Sequence, residues 1–192
     1  MNLSVPRKIV LIGASTGGPG QIEKIISSIE PLEDTTIIIA QHMVKGFLES
    51  FVKRLQQHSK NNVIFIEDGM ELLSSNIYVC SAQVEITKIA SNLIFHKRPS
   101  HENSYNPEIS AIFKSFIPFT NNFTILCSIL TGIGEDGVNE CRELSLKGVR
   151  CITESSSSAI VDGMPSRARK NVPNIEVLDM DNIVNQIKEF SS

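Results

Sequence analysis

Gly13-Ala14-Ser15-Thr16-Gly17 follows an apolar run from Lys8 and matches G-x-S-x-G, the pattern of a sharp strand-to-helix turn that lifts a serine hydroxyl off a sheet rim. Glycines are needed where such a turn leaves no room for side chains beside a nucleophile. A helix starting there also aims unbonded N–H groups toward the charge that develops on an attacked carbonyl. A serine hydroxyl is a weak nucleophile, so the pattern needs a base and an acid that orients the base. His42 offers the imidazole, directly after the apolar run Thr35 to Ala40. Asp136 offers the carboxylate, in Thr131-Gly132-Ile133-Gly134-Glu135-Asp136-Gly137, after the run that ends at Leu130. His58 lies in a polar helix end, and His96 and His101 flank a central polar loop, so none shares this kind of address.

Each residue has a plainer reading. A glycine-rich turn can be only a turn, a loop histidine is often just hydrogen-bonded, and an aspartate before Gly137 and Val138 suits the cap of the following helix. Phosphate binding is the other use of such a loop. As G-x-G-x-x-G it fails, because Ser15 stands two places after Gly13. As a Walker A loop it fails too, because Pro19 follows Gly18 where lysine is required. The chain order Ser, His, Asp differs from that of the α/β-hydrolases, the chymotrypsin type and the subtilisin type.

The elements that must carry these residues alternate. Lys8 to Gly13 reads as a strand, and Ile22, Ile25, Ile26 and Ile29 recur at helical spacing after Pro19, which suits a first helical turn. Thr35 to Ala40 is a second buried strand, followed by a helix with the stripe Phe47, Leu48, Phe51, Val52 and Leu55 and the wet face Lys45, Lys53 and Arg54. Val63 to Glu67 and Asn76 to Cys80 read as strands, divided by the turn signal Asp68-Gly69. Val84 to His96 reads as a hairpin, Lys97 to Pro107 as a loop, and Pro107 to Phe116 as a helix with Ile109, Ile112, Phe113 and Phe116 inward. Phe123 to Leu130 is a strong buried strand before a helix from Val138 to Lys147. Val149 to Thr153, a helix opened by Pro165, Ile175 to Leu178 and a terminal helix from Asp181 complete the series, with the serine run Ser155 to Ser158 as loop. The expected fold is α/β: one domain with a doubly wound, mostly parallel, Rossmann-like sheet and helices on both faces. Right-handed crossovers put every strand-to-helix loop at one rim, which is where Ser15, His42 and Asp136 would meet.

Composition narrows the partners. With 192 residues, 41% of them hydrophobic, the chain can fill one sizeable core. A net charge of -3 and mixed charges give no reason to expect nucleic acid or an anionic membrane as partner. No secretory signal opens the chain and no apolar run approaches the roughly 18 residues of a spanning helix, so a cytoplasmic protein without membrane insertion is expected. Cys80, Cys127, Cys141 and Cys151 are widely separated, form no C-x-x-C pair and read as buried thiols; no metal and no cofactor is expected.

At this point the chain resembles the catalytic domain of CheB, the chemotaxis receptor methylesterase. The matching stretches are GASTGGPG at 13–20, QHM followed by GFLESFVKRL at 41–55, EDG at 67–69, LTGIGEDG at 130–137, and the SS and GMP elements at 157–158 and 163–165. The resemblance runs from about Ile9 to the end of the chain. It implies that Ser15 is the nucleophile, His42 the general base and Asp136 its orienting partner. For the attack that follows, the main-chain N–H groups of Thr16 and Ile133 are the expected oxyanion donors. The resemblance also implies hydrolysis of glutamate γ-methyl esters on the cytoplasmic domains of chemoreceptors, and deamidation of receptor glutamines as a second activity. Residues 1–192 would then form a single methylesterase catalytic domain, with no receiver domain before it. Members usually carry methionine where Ile133 stands and tyrosine where Asp162 stands; Tyr105-Asn106-Pro107-Glu108-Ile109-Ser110 and Cys80-Ser81-Ala82-Gln83 also depart from the family pattern. Two other readings have distinct consequences: a receptor-binding module that has lost the rate releases no methanol, and a nucleotide-binding protein shows saturable NAD or ATP binding.

Overall fold

A computed structural model describes residues 4–98 and 106–192. His101, Tyr105, most of the Lys97 to Pro107 loop and the side chain of Lys45 lie outside the described residues.

β-Branched and apolar runs make the strands. Lys8–Ala14 (β1) and Thr35–Gln41 (β2) are buried almost throughout, as expected of strands covered on both faces. Helix α1 (Gly18–Ser28) begins behind Pro19, with Gly17 left-handed before it, and buries Ile22, Ile25 and Ile26. Next come α2 (Lys45–His58), β3 (Asn62–Phe65), β4 (Asn76–Val79), β5 (Gln83–Ile89), β6 (Asn92–Arg98) and α3 (Ile109–Phe116). The chain ends with β7 (Thr124–Ile129), α4 (Val138–Leu146), β8 (Arg150–Glu154), α5 (Gly163–Asn171), β9 (Glu176–Leu178) and α6 (Met180–Ser191). Seven strands form a parallel sheet in the order β3-β4-β2-β1-β7-β8-β9, while β5 and β6 pair antiparallel as a separate hairpin.

Alternate side chains of β1 serve opposite faces. Val10 and Ile12 pack in the layer containing buried residues of α1, α2 and α6; Ile9 and Leu11 pack in the layer of α3, α4, α5 and the hairpin. Burying each such side chain contributes about 1.5–3 kcal/mol, so a charge at Leu11 would break the centre of the sheet. The chain crosses from one half of the sheet to the other around β1, whose neighbours are β2 and β7. Loops leaving these three strands border the crevice where open parallel sheets hold ligands.

Two details differ from the sequence expectation. Phe47 is 66% exposed and leaves the inward stripe to Leu48, Phe51 and Leu55, because it lies in the first turn of α2, near the rim. Helix α5 begins at Gly163, so Pro165 sits inside its first turn instead of opening it. Cys127, Cys141 and Cys151, far apart in sequence, come together: their Sγ atoms lie within 4.8 Å of one another, all buried. The Cys151 thiol points to the carbonyls of Cys141 and Val149. Among the described residues no other His, Cys, Asp or Glu joins the group, and apolar packing of buried thiols accounts for it.

Candidate active site

The three central strands carry the residues singled out by chemistry. In the ladders Ala14 is opposite Gln41, and Gly13 is opposite both Ala40 and Ile129. Main-chain pairing runs on past the strand ends. The N–H of His42 donates to Ala14 O at 2.9 Å, and the N–H of Ser15 donates to Thr131 O at 2.9 Å. Ser15 thus sits between the exits of β2 and β7, on the strand separating His42 from the Asp136 loop.

His42 and Asp136 meet directly. Nε2 of His42 lies 2.7 Å from Oδ2 of Asp136, and both side chains are nearly buried. The carboxylate does not cap the helix that follows it. Gly137 precedes α4 without a side-chain cap, and Asp136 instead accepts the first N–H groups of α3, from Ile109 at 2.7 Å and Ser110 at 3.0 Å. Glycine permits this approach: a Cβ on Gly137 would stand 2.4 Å from Ile109 Cγ2, and its φ is +82°. Burial favours the neutral acid, but hydrogen bonds from His42, Ser110 and Ile109 outweigh it and hold Asp136 below the ordinary aspartate pKa. An ionised acid that accepts from Nε2–H fixes the imidazole tautomer, so that Nδ1 is the basic nitrogen.

The turn itself is tightly walled. A Cβ on Gly132 would stand 2.5 Å from Ser15 Cβ and 2.5 Å from Met164 Sδ, and one on Gly163 would stand 2.6 Å from Gly132 O. The N–H of Gly18 closes the turn on Ser15 O at 2.9 Å. Among the described residues, the main-chain N–H groups of Thr16 and Ile133 donate to no protein acceptor. Unbonded N–H groups beside a helix start suit a developing anion.

Two contributors escaped the sequence reading. Gln41, buried at the end of β2, donates its amide to both Ser15 O and His42 O, each at 2.8 Å, tying the serine turn to the histidine segment. Glu154, wholly buried at the end of β8, accepts the N–H of Thr131 at 2.7 Å. Both carry one available signal: a polar residue closing a buried strand must bond to whatever lies at the rim.

The mouth is apolar. Ile133 and Ile160 are 63% and 65% exposed, and Ile160 lies against Gly17. A concavity of about 580 Å³ is lined by Pro19 of α1, Met43 and Val44 after β2, and Phe47, Phe51 and Arg54 of α2.

A family model for CheB methylesterase matches residues 10–187. The chain belongs to the CheB methylesterase family. A CheB relative from Carboxydothermus hydrogenoformans, named protein-glutamate methylesterase/protein-glutamine glutaminase 2, is 32% identical over 190 residues, covering 96% of this chain and 53% of its own. The protein-glutamate methylesterase/protein-glutamine glutaminase of Nitrosospira multiformis is 32% identical over 168 residues, covering 88% and 47%. The crystal structure of the Thermotoga maritima CheB methylesterase catalytic domain superposes with a TM-score of 0.85 at 26% identity, covering 96% of this chain and 99% of that one. The Rossmann-like, doubly wound α/β fold expected from the alternation is therefore the fold of a CheB catalytic domain. The chain spans about half the length of the curated relatives it matches. No helix among the described residues is long and apolar enough to cross a membrane.

Proposed function

We propose that this chain hydrolyses glutamate γ-methyl esters on the cytoplasmic domains of chemoreceptors, serving adaptation in chemotaxis, and deamidates receptor glutamines at the same site. The observation that carries the reading is the buried His42–Asp136 pair, hydrogen-bonded through its own main chain to the strand that presents Ser15. Ser15 Oγ attacks the ester carbonyl while His42 takes its proton at Nδ1, and Asp136 stabilises the imidazolium. The oxyanion is met by the N–H groups of Thr16 and Ile133; one such donor is typically worth about 2.7–4 kcal/mol of barrier. Collapse expels methanol, which leaves with the proton held on His42. The acyl group remains on Ser15. Water then attacks the acyl group, its proton passing to His42, and release of the glutamate carboxylate regenerates Ser15. With glutamine as substrate, ammonia replaces methanol.

Relatives bearing the methylesterase/glutaminase name support the ester and amide substrates, and the exposed apolar mouth suits a protein surface more than a small solute. The test is methanol release from methylated receptor by purified protein. Wild type should turn over and Ser15→Ala should not, with circular dichroism unchanged. Wild-type release by Ser15→Ala would end this reading.

A further inference from the structure

A buried carboxylate outside the Ser-His-Asp group lies beneath the serine turn. Glu154 is 0% exposed. Its Oε2 accepts the N–H of Thr131 at 2.7 Å; its Oε1 accepts Gln21 Nε2 at 2.7 Å and the Ser158 hydroxyl at 3.2 Å. No side-chain cation among the described residues reaches these oxygens. Asp162, just before α5, and Arg169 on α5 lie nearby: Arg169 donates to the Glu154 main-chain carbonyl at 2.6 Å and grips Asp162 with its other nitrogen.

Two of the three groups held by the Glu154 carboxylate, Thr131 and Gln21, lead to Ser15. Thr131 receives the Ser15 N–H on its carbonyl, and its hydroxyl donates to Thr16 O at 2.9 Å and accepts the Val161 N–H at 2.8 Å. With its N–H on Glu154, every polar group of Thr131 is engaged, and Ser15 and Thr16 are positioned through it. Gln21 is the first inward side chain of α1 beyond Gly18, the helix that starts where the turn ends. One carboxylate therefore fastens the turn at its entry and at its exit.

The bonding pattern has a second solution. Gln21 Oε1 is buried and has no partner, an arrangement that costs free energy. If the Gln21 amide turns over, that oxygen faces Glu154 and requires a donor. A neutral amide at position 154 supplies one: its oxygen still accepts from Thr131, and its NH₂ donates to Gln21 Oε1 and to Ser158 Oγ. Burial pushes the Glu154 carboxyl pKa up, against the hydrogen bonds from Thr131, Gln21 and Ser158 that pull it down.

We propose that Glu154 is a positioning residue for Ser15, clamping the turn between Thr131 and Gln21, and that the clamp depends on its hydrogen-bonding shape and not on its charge. The proposal rests on the reading of Ser15 as nucleophile. An apolar side chain here strands the Thr131 N–H and releases both ends of the turn; a catalytic group displaced by about 1 Å costs on the order of 100-fold in rate.

The experiment compares Glu154→Gln and Glu154→Met, in methanol release from methylated receptor and in labelling of Ser15 by a fluorophosphonate. Glu154→Gln should keep kcat within about threefold of wild type. Glu154→Met should lose on the order of 100-fold in kcat with KM nearly unchanged, and should label more slowly. Hydrogen exchange at the Thr131 amide should stay slow in Glu154→Gln and quicken in Glu154→Met, which gives a reading even if the latter is too unstable for kinetics. Wild-type kcat in Glu154→Met overturns the clamp. A Glu154→Gln variant as impaired as Glu154→Met, or one that leaves Thr131 unprotected, overturns the independence from charge. Failure of the underlying reading looks different: wild-type Ser15 would not label and Ser15→Ala would still release methanol.

Discussion

Adding one methyl group at Gly132 tests how closely the turn is built. Gly132 is absent from the residues with positive φ, so alanine meets no backbone penalty and acts through space alone. The new Cβ would start 2.5 Å from Ser15 Cβ, 3.1 Å from Ser15 N and 2.5 Å from Met164 Sδ. The methionine can swing its sulfur aside at little cost. Ser15 cannot, because its N–H is bonded to Thr131 and its carbonyl accepts from Gly18 and Gln41. Ordinary contact begins at 3.4 Å, so the serine and the Gly132 loop must part by about 0.9 Å. Displacement on that scale costs on the order of 100-fold in rate, and overpacking of this kind costs about 1–3 kcal/mol in stability. Methanol release at saturating methylated receptor reads the first quantity, urea unfolding the second, and fluorophosphonate labelling reports Ser15 without the receptor. Wild-type kcat in Gly132→Ala would refute the contact between this loop and Ser15 as a constraint on catalysis.

Asp136→Asn should lower kcat by about 10⁴-fold by stabilising the wrong imidazole tautomer, and a loss below tenfold in methanol release would remove Asp136 from the orienting role. The same variant reports on stability. The folded-state pKa of Asp136 lies below its ordinary 3.8, so its contribution is complete well above that value and is lost as pH falls through the lowered one. The stability gap between wild type and Asp136→Asn in urea should be flat from about pH 8 to 5 and shrink at lower pH; a gap that widens on acidification contradicts the assignment. Gln41→Leu removes two hydrogen bonds, to Ser15 O and His42 O, at about 1–3 kcal/mol together. Part is offset because the amide oxygen, a buried acceptor without a partner, goes too. Its kcat should fall more than its KM rises, and an unchanged kcat at full folding would show that the bracket is dispensable.

Much of the fold was legible because parallel strands buried on both faces leave nearly continuous apolar runs such as Ile37 to Ala40 and Ile125 to Leu130, the latter interrupted only by the buried Ser128. Ser15, His42 and Asp136 were legible as addresses, since each follows such a run by a few residues. What escaped depends on contacts distant in sequence. Asp136 resembles the cap of its own helix, and only the packing of Ile109 near Gly13 and Gly137 brings the start of α3 to it instead. Phe47 fits the helical period of its neighbours but lies in the first turn of α2, where the inward stripe is taken up by Leu48. Glu154 and Gln41 look like ordinary polar punctuation, because hydrogen bonds across 23 and 26 residues leave no periodic trace. The three gathered cysteines share one depth on β7, β8 and α4, a relation that only the sheet register discloses.

The neighbour relation β2-β1-β7 governs how Ser15, His42 and Asp136 are gauged. Adjacent strands stand about 4.8 Å apart whatever side chains they carry, so the three exits are spaced by peptide ladders. Interior side chains can be exchanged in wide combinations without moving those exits, as long as the ladders stay paired. A chain only 26% identical to the Thermotoga domain can therefore keep its fold at a TM-score of 0.85, and loop growth at the opposite end of the sheet, or in the β5–β6 hairpin, leaves that gauge untouched.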